Sequence, residues 1–568
     1  MLKINTHFMN IFNIAIIAVL VDILVYTLKI QYNIALIISS LSIIILNFIL
    51  IKKNKIKIKS NFEVLDIVFL SFIFIIASLK IAIPDFSYDV SNYHIYLQKN
   101  IYIDKINFDF FAGKTVNGFL FALGDRMYYI FRYILGYRLG TILSYYTLIV
   151  LFYQIKDVLN IISKKNKLIP IFAMLSCLSY IILQWLGTYY VDNLSIVVFI
   201  LQIIYYVISE ENILKNKKMI YFITFICGIA TAIKITNFIL ILPILLFILI
   251  KERKNINKEI ILTLLKSLIL FVIPFLIYII DNIIQTGNPI FPYYNSIFKS
   301  KYFGQFDWKD NRFGINNVFY GAIWPIYVSV IIKGYGDDWN ISDPIWAIGY
   351  IIVLTFILYS IIAKKKNKKI FQISILSIIL TIIWIIFLEG YMRYALVIPI
   401  LYGIVMSGII MNCINIRKIN NLFKYIISII SIGITICIIT VNIDENILRN
   451  YKYIFVDREK NKIHIDGVWG VISDDSALTS LVRENNVPIY NLGEHLIKTS
   501  DENLNRYYEK ICNKDIYVLM TKDNLEYKLS VLNNNNFSCK FVKNYSINEI
   551  PYISANNTVY LYKVNYIK

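Results

Sequence analysis

The run Pro84-Asp85-Phe86-Ser87-Tyr88-Asp89-Val90-Ser91-Asn92-Tyr93-His94-Ile95-Tyr96-Leu97 sets two carboxylates and an imidazole close together. Such groups move protons when a substrate hydroxyl comes within hydrogen-bond reach. Ser87 can cap a helix starting near Tyr88, and an acid in the first turn suits the helix dipole. On that helix Val90, His94 and Leu97 share one face and Asp89, Tyr93 and Tyr96 another, so Asp89 and His94 need not touch. A structural alternative stands beside this: Asp89 as a first-turn acid, His94 as a packed ring with one hydrogen bond. Asp192, Lys234 and Arg393 stand at the ends of apolar runs. Asp192 is placed to cap the segment after it, and the two cations are placed to snorkel to water. The pair Asp337-Asp338 offers a divalent cation two ligands, but no third is apparent and a solvated turn serves as well. The six cysteines form no CxxC pair and the four histidines are scattered, so no zinc site is visible.

The elements that must hold these residues are membrane spans. Of the 568 residues 58% are hydrophobic and 17% charged, against roughly 25% charged in soluble proteins. Apolar blocks of about 18–20 residues are long enough to cross the hydrocarbon layer, and helices satisfy their own amides there. About thirteen spans are expected, near 9–27, 33–51, 63–82, 139–155, 168–185, 192–208, 219–233, 236–250, 260–281, 345–363, 370–388, 394–412 and 425–442. The net charge of +20 sits in short clusters between them, which excludes a nucleic-acid partner in favour of a topology signal. The clusters Lys52–Lys59, Lys164–Lys167, Lys215–Lys218, Lys251–Lys258, Lys364–Lys369 and Arg417–Lys424 all fall at even-numbered connectors. They therefore share one side, cytoplasmic by the positive-inside rule. Met1–Asn10 runs into the first span with no small-residue cleavage site, so that helix is expected to be retained.

A multi-pass cell-membrane protein follows, with its amino terminus inside and its carboxyl-terminal part outside. The opposite connectors 83–138, 186–191, 282–344 and 389–393 carry Asp85, Asp89, Asp192, Asp307, Asp310, Asp337, Asp338 and Glu389. The acidic, aromatic loops thus share the outer face. Beyond about residue 444 the character changes. Helix-like stretches (Ser476–Glu484, Leu504–Cys512, Leu525–Leu532) alternate with apolar runs (Val487–Asn491, Asp515–Thr521, Cys539–Val542, Thr558–Val564). The expected organisation is a transmembrane domain over 1–443 and an extracytoplasmic α/β domain over 444–568. Cys512 and Cys539 read as free thiols more readily than as a pair.

The string Tyr88–His94 resembles the YDxxxYH-type motif of bacterial GT-C membrane glycosyltransferases, relatives of the protein O-mannosyltransferase and lipid A aminoarabinose transferase group. Gly187–Asp192 resembles a YVD segment of that group, and Thr286–Asn295 resembles its GNPxFP segment. Arg393-Tyr394 with Pro399, and Ala230–Thr236 ending in K-x-T, are similar to two further stretches. The resemblance covers roughly residues 63–413 and implies a GT-C-like helical membrane fold. It implies transfer of a sugar from a polyprenyl-phosphate donor to a glycan, lipid or protein acceptor of the cell envelope, at the outer face. Such a donor is held by its lipid tail in the bilayer, so no nucleotide loop is needed. On this reading Asp89 is the general base, with Asp85 second because it serves equally to hold the loop or a metal. A carboxylate acting alone gives an inverting single displacement. Lys234 and Arg393 stabilise the leaving phosphate, and His94 and Asp192 belong to the substrate site. Tyr293 and Tyr294 stack on sugar, although interface packing accounts for them equally well. A transporter or flippase is the main rival, set against it by how few charges lie deep in spans: Asp22, Asp66 and Lys266. A polysaccharide polymerase or ligase is the second.

Overall fold

The computed structural model describes residues 2–98, 116–300, 306–307, 318–330 and 343–416 apart from short internal gaps, and beyond them 514–546, 558–567 and parts of 463–492, with Cys512. Among them six helices are long and apolar enough to cross a membrane: Thr6–Leu28, Tyr32–Lys52, Ile142–Ser163, Lys258–Thr286, Pro344–Ile362 and Lys368–Phe387. Val198–Ser209, Asn237–Lys251 and Val397–Cys413 are shorter apolar helices. The protein is a multi-pass helical membrane protein. The expected span 425–442 and the boundary near 443 lie outside the described residues.

Burial sorts the helices into shells. Tyr32–Lys52 is only 17% buried and Ile142–Ser163 is 78% buried. The first presents Ile44, Ile45 and Phe48 outward, as a helix facing lipid does. The second carries its polar side chains inward: Gln154 donates to the carbonyl of Val198 at 2.8 Å and to Gln202 at 2.9 Å. Inside a bilayer such groups find partners between helices, because none exists in hydrocarbon.

The two ends of the bundle are built differently. At one end the lysine-rich connectors are tied together. Strand β1 (Leu2–Asn5) pairs in parallel with β2 (Ile56–Lys59). Lys217 pairs with Glu259 at 2.5 Å, and Lys369 donates to the carbonyl of Ile161 at 3.4 Å. At the other end the long connectors fold over the helices and support the sheet.

Several expected spans are altered where this loop end is shaped. The stretch 168–185 is two helices, Ile169–Cys177 and Tyr180–Gln184. The stretch 192–208 opens as a π-helix over Asn193–Ile200 before α-helix Leu201–Ser209. The span expected at 139–155 is shifted to Ile142–Ser163. Before it, Leu123–Leu139 forms a separate helix bent at Gly136, whose φ of 81° only glycine adopts at little cost. A further helix, Val318–Val330, lies within the connector 282–344.

The carboxyl-terminal region holds a five-stranded sheet of order β4-β3-β5-β7-β6. It comprises β3 (Val468–Val471), β4 (Ile489–Asn491), β5 (Ile516–Thr521), β6 (Phe537–Ser546) and β7 (Thr558–Tyr566). The first three strands are parallel, and β7 joins antiparallel to β5 and β6. All four apolar runs of the tail supply strands, and helix Leu525–Asn534 lies where a helix was expected. Strand β3 was not anticipated, and Ser476–Glu484 and Leu504–Cys512 lie almost wholly outside the described residues. No disulfide joins Cys512 to Cys539. On one side Ile516, Val518 and Met520 share a buried cluster with Phe119 and Phe291 of the long connectors. On the other, Trp469, Leu519 and Leu561 share one with Ile83. The sheet is therefore seated on the end of the bundle that carries the conspicuous acids.

Candidate active site

Asp89 begins the site. It precedes a π-helical turn, Val90–His94, in which the amide of Ile95 bonds to the carbonyl of Val90. The wider turn re-aims the side chains relative to the expected α-helix. Asp89 and His94 do not bond to each other, yet both line one cavity, of about 110 Å³. Asp125, Lys234, Tyr293 and Arg393 are among its other walls.

Arg393 organises the charges. It sits in the short 3₁₀ turn Met392–Ala395, after a bend in which Glu389 and Gly390 both have positive φ. Trp324 closes that bend by donating to the Gly390 carbonyl at 2.8 Å. The guanidinium lies 2.8 Å from Oδ2 of Asp89 through one terminal nitrogen and 3.3 Å from Oδ2 of Asp192 through Nε. Its flat face lies 4.7 Å from the ring centre of Tyr190. A flat cation that reaches two carboxylates while stacking on a ring is what arginine, and not lysine, supplies. Lys234 ends helix Lys217–Ile233, and its ammonium bonds to Asp192 and sits 4.3 Å from the ring centre of Tyr394. Four charges thus alternate, Asp89–Arg393–Asp192–Lys234. Asp192 is fully buried, whereas the Asp89 side chain is 25% exposed.

Burial pushes the Lys234 ammonium below the ordinary lysine range, against the opposing pull of Asp192. Burial works in the same direction on Arg393, but the carboxylates of Asp192 and Asp89 override it and hold the guanidinium well above its usual value. A second pair completes the cavity wall. His94 Nδ1 lies 2.7 Å from Oδ1 of Asp125, in the first turn of helix Leu123–Leu139. Burial raises the Asp125 carboxyl, with His94 opposing. The neighbouring Arg126 turns away to Asp22, at 3.6 Å.

Of the residues singled out in the sequence, Asp89, His94, Lys234, Arg393 and Tyr293 line the cavity, and Asp192 stands behind the two cations. Asp85 does not line it. Its carboxylate accepts from the amides of Ser87 at 3.0 Å and Tyr189 at 2.7 Å, tying two connectors together. Tyr294 is 59% exposed and outside the cavity, because the chain turns at its positive φ of 54°. Asn288 fixes that loop, accepting from the amide of Ile290 at 3.0 Å and donating to the carbonyl of Tyr293 at 2.9 Å. Asp337 and Asp338 lie outside the described residues. Among the described residues no three His, Cys, Asp or Glu side chains converge on a metal position. Sequence reasoning missed Asp125, Tyr391 and Tyr394. Tyr394 follows Arg393 directly, and Asp125 opens a polar helix inside an outer connector, which was the available signal.

Residues 126–322 match the family described as a domain of unknown function, DUF8201. None of the curated proteins matches the sequence. Among solved structures the chain resembles ArnT from Cupriavidus metallidurans in the apo state, with a TM-score of 0.52 and 10% identity over 88% of this chain and 97% of that one. It resembles the same protein bound to undecaprenyl phosphate with a TM-score of 0.51 and 9% identity, over the same shares. The chain therefore has a GT-C-like fold.

Proposed function

We propose that this protein transfers a sugar from a polyprenyl-phosphate carrier to an acceptor hydroxyl of the cell envelope. The observation that carries the reading is the alternating chain Asp89–Arg393–Asp192–Lys234 beside one cavity, at the end of the bundle under the sheet. Two cations suit a phosphate, and a partly exposed carboxylate suits a proton. The shared fold adds support, since ArnT has been seen with undecaprenyl phosphate bound. By charge bias the loop end faces outward, with the amino terminus in the cytoplasm and the sheet outside.

The charges are balanced before any ligand arrives, and this dictates an order of events. An incoming phosphate cannot readily displace Asp192, which is buried and shared by both cations. It competes instead with Asp89 for the outer nitrogen of Arg393. Donor binding so releases Asp89 to accept the proton of the incoming hydroxyl. The hydroxyl oxygen bonds to the anomeric carbon as the bond to phosphate breaks, and the leaving electron pair rests on the phosphate between Lys234 and Arg393. One displacement inverts the anomeric centre. Tyr293 closes the sugar side.

The test is reconstitution of the purified protein in liposomes with polyprenyl-phosphate hexoses, and mass spectrometry of surface glycans in cells. The wild type releases free polyprenyl phosphate, and cells carrying Asp89→Asn lose one glycan while the protein stays inserted. An unchanged glycan profile together with lost solute uptake would instead make it a transporter.

A further inference from the structure

The proposed displacement leaves one wall of the cavity without a task. His94 is 3% exposed, its ring lines the cavity, and its Nδ1 faces Asp125. Its other nitrogen, Nε2, is buried and makes no hydrogen bond among the described residues. Of the described residues lining the cavity, the other such buried polar atom is Nε of Arg393, and that one lies 3.3 Å from Asp192. The carboxylate of Asp125 draws the ring proton to Nδ1, which leaves a lone pair on Nε2. A buried acceptor without a donor is unfavourable, so its presence calls for a ligand that supplies one.

We propose that Nε2 of His94 accepts a hydrogen bond from a hydroxyl of the sugar being transferred, with Asp125 as the positioning residue that fixes the ring and its tautomer. The pair then selects the sugar. This rests on the reading that the cavity takes a polyprenyl-phosphate sugar. Burial separates the sugar from the acceptor as the source of that hydroxyl. The anomeric carbon is joined directly to the phosphate, so the sugar lies beside Arg393, whose side chain is 5% exposed, and Lys234, at 17%. His94 belongs to that closed part. The acceptor enters on the open side, where the Asp89 side chain is 25% exposed. Tyr93, with its ring centre at 4.3 Å, and Tyr190, edge-on at 5.5 Å, brace the imidazole without bonding to Nε2. A site built to pair with a hydroxyl rejects a sugar lacking it far more strongly than a pocket that only senses size.

The experiment measures binding to wild type, His94→Phe, His94→Gln and Asp125→Asn in nanodiscs. The probes are bare undecaprenyl phosphate and undecaprenyl phosphate carrying glucose, galactose or mannose. For the sugar lipid that wild type prefers, His94→Phe weakens binding about tenfold, Asp125→Asn weakens it less, and His94→Gln, which restores an acceptor, recovers most of it. Bare undecaprenyl phosphate binds all four proteins alike. A singly deoxygenated sugar lipid reproduces the loss in wild type and adds nothing in His94→Phe. Equal weakening of bare and sugar-bearing lipid, or no weakening of either, overturns the assignment to a sugar hydroxyl. Failure of the wild type to bind any of these lipids overturns the donor reading itself.

Discussion

Two buried lysines mark the two ends of the bundle, and they are held in opposite ways. Lys156, in the helix Ile142–Ser163, is fully buried and lies 2.6 and 2.7 Å from the two oxygens of Asp66, with Glu63 at 3.4 Å. Asp66 is fully buried too, and it also accepts from the amide of Glu63 at 2.9 Å. Neither Lys156 nor Asp66 lines the cavity at the other end. Lys234 does line it, and its partner Asp192 is shared with Arg393, which is shared in turn with the partly exposed Asp89. The Glu63 side chain is 45% exposed, so a partner that reaches solvent occurs at both ends. Only the chain that ends at Asp89 borders a cavity in which a ligand can take that member's place. Burial and ion pairing alone therefore do not mark a functional charge; the cavity at the open end does.

The sharpest way to break this comparison is to neutralise one acid at each end. Asp89→Asn lowers glycosyl transfer by about 10²–10⁴-fold, the usual range for a lost general base, and leaves thermal stability nearly unchanged. Asp66→Asn does the reverse. It strands a buried ammonium and costs about 3–5 kcal/mol of stability, visible as a lower midpoint in thermal aggregation, while the folded fraction keeps its specific activity. Swapped outcomes would mean that the two ends have been assigned the wrong way round. Arg393→Lys comes next. It keeps the charge but loses the donation to Asp89, the close ion pair with Asp192 and the stacking on Tyr190, so turnover drops about 10²-fold, the scale of one lost transition-state donor. A kcat within twofold of wild type removes Arg393 from the reaction.

The closed end and the open end also differ in how far they can be read from sequence. Spans announce themselves by composition, and lysine clusters mark their ends because charge is excluded from hydrocarbon whatever the neighbours are. The acid-bearing connectors were likewise picked out, and Asp89, Lys234 and Arg393 do meet, although Asp89 and Arg393 stand 304 positions apart. Pairing lay beyond reach for a physical reason. An α-helical period put Asp89 and His94 on different faces, but the π turn at Val90–His94 is a local departure that propensity does not encode. Asp125 was missed because its meaning depends on a contact 31 residues away with His94. Asp85 was over-read: two acids four apart look alike in sequence, and only the amides of Ser87 and Tyr189 show which one is spent on the backbone. Tyr294 failed similarly, through a single positive φ.

The smallest effect sharpens the contrast between the two lysines through pH. Burial holds the Lys234 ammonium below the ordinary lysine value of 10.5, so its charge is lost earlier as pH rises than that of an exposed lysine. A neutral amine no longer stabilises the leaving phosphate, and transfer falls on the alkaline side. Stability responds with the opposite sign. A lysine whose folded pKa lies below its unfolded one disfavours folding while both states are protonated, and that penalty is relieved as pH climbs between the two values. Activity should therefore decline over a range in which the folded state is gaining from this group. Lys234→Arg keeps its charge through that range, because a guanidinium does not deprotonate there. Its rate at neutral pH drops several-fold from altered geometry, but its alkaline limb moves upward or disappears. Lys156→Arg, at the closed end, alters stability and leaves the limb where it was. Identical alkaline limbs for wild type and Lys234→Arg would show that the ammonium at the open end serves the fold alone, as Lys156 does.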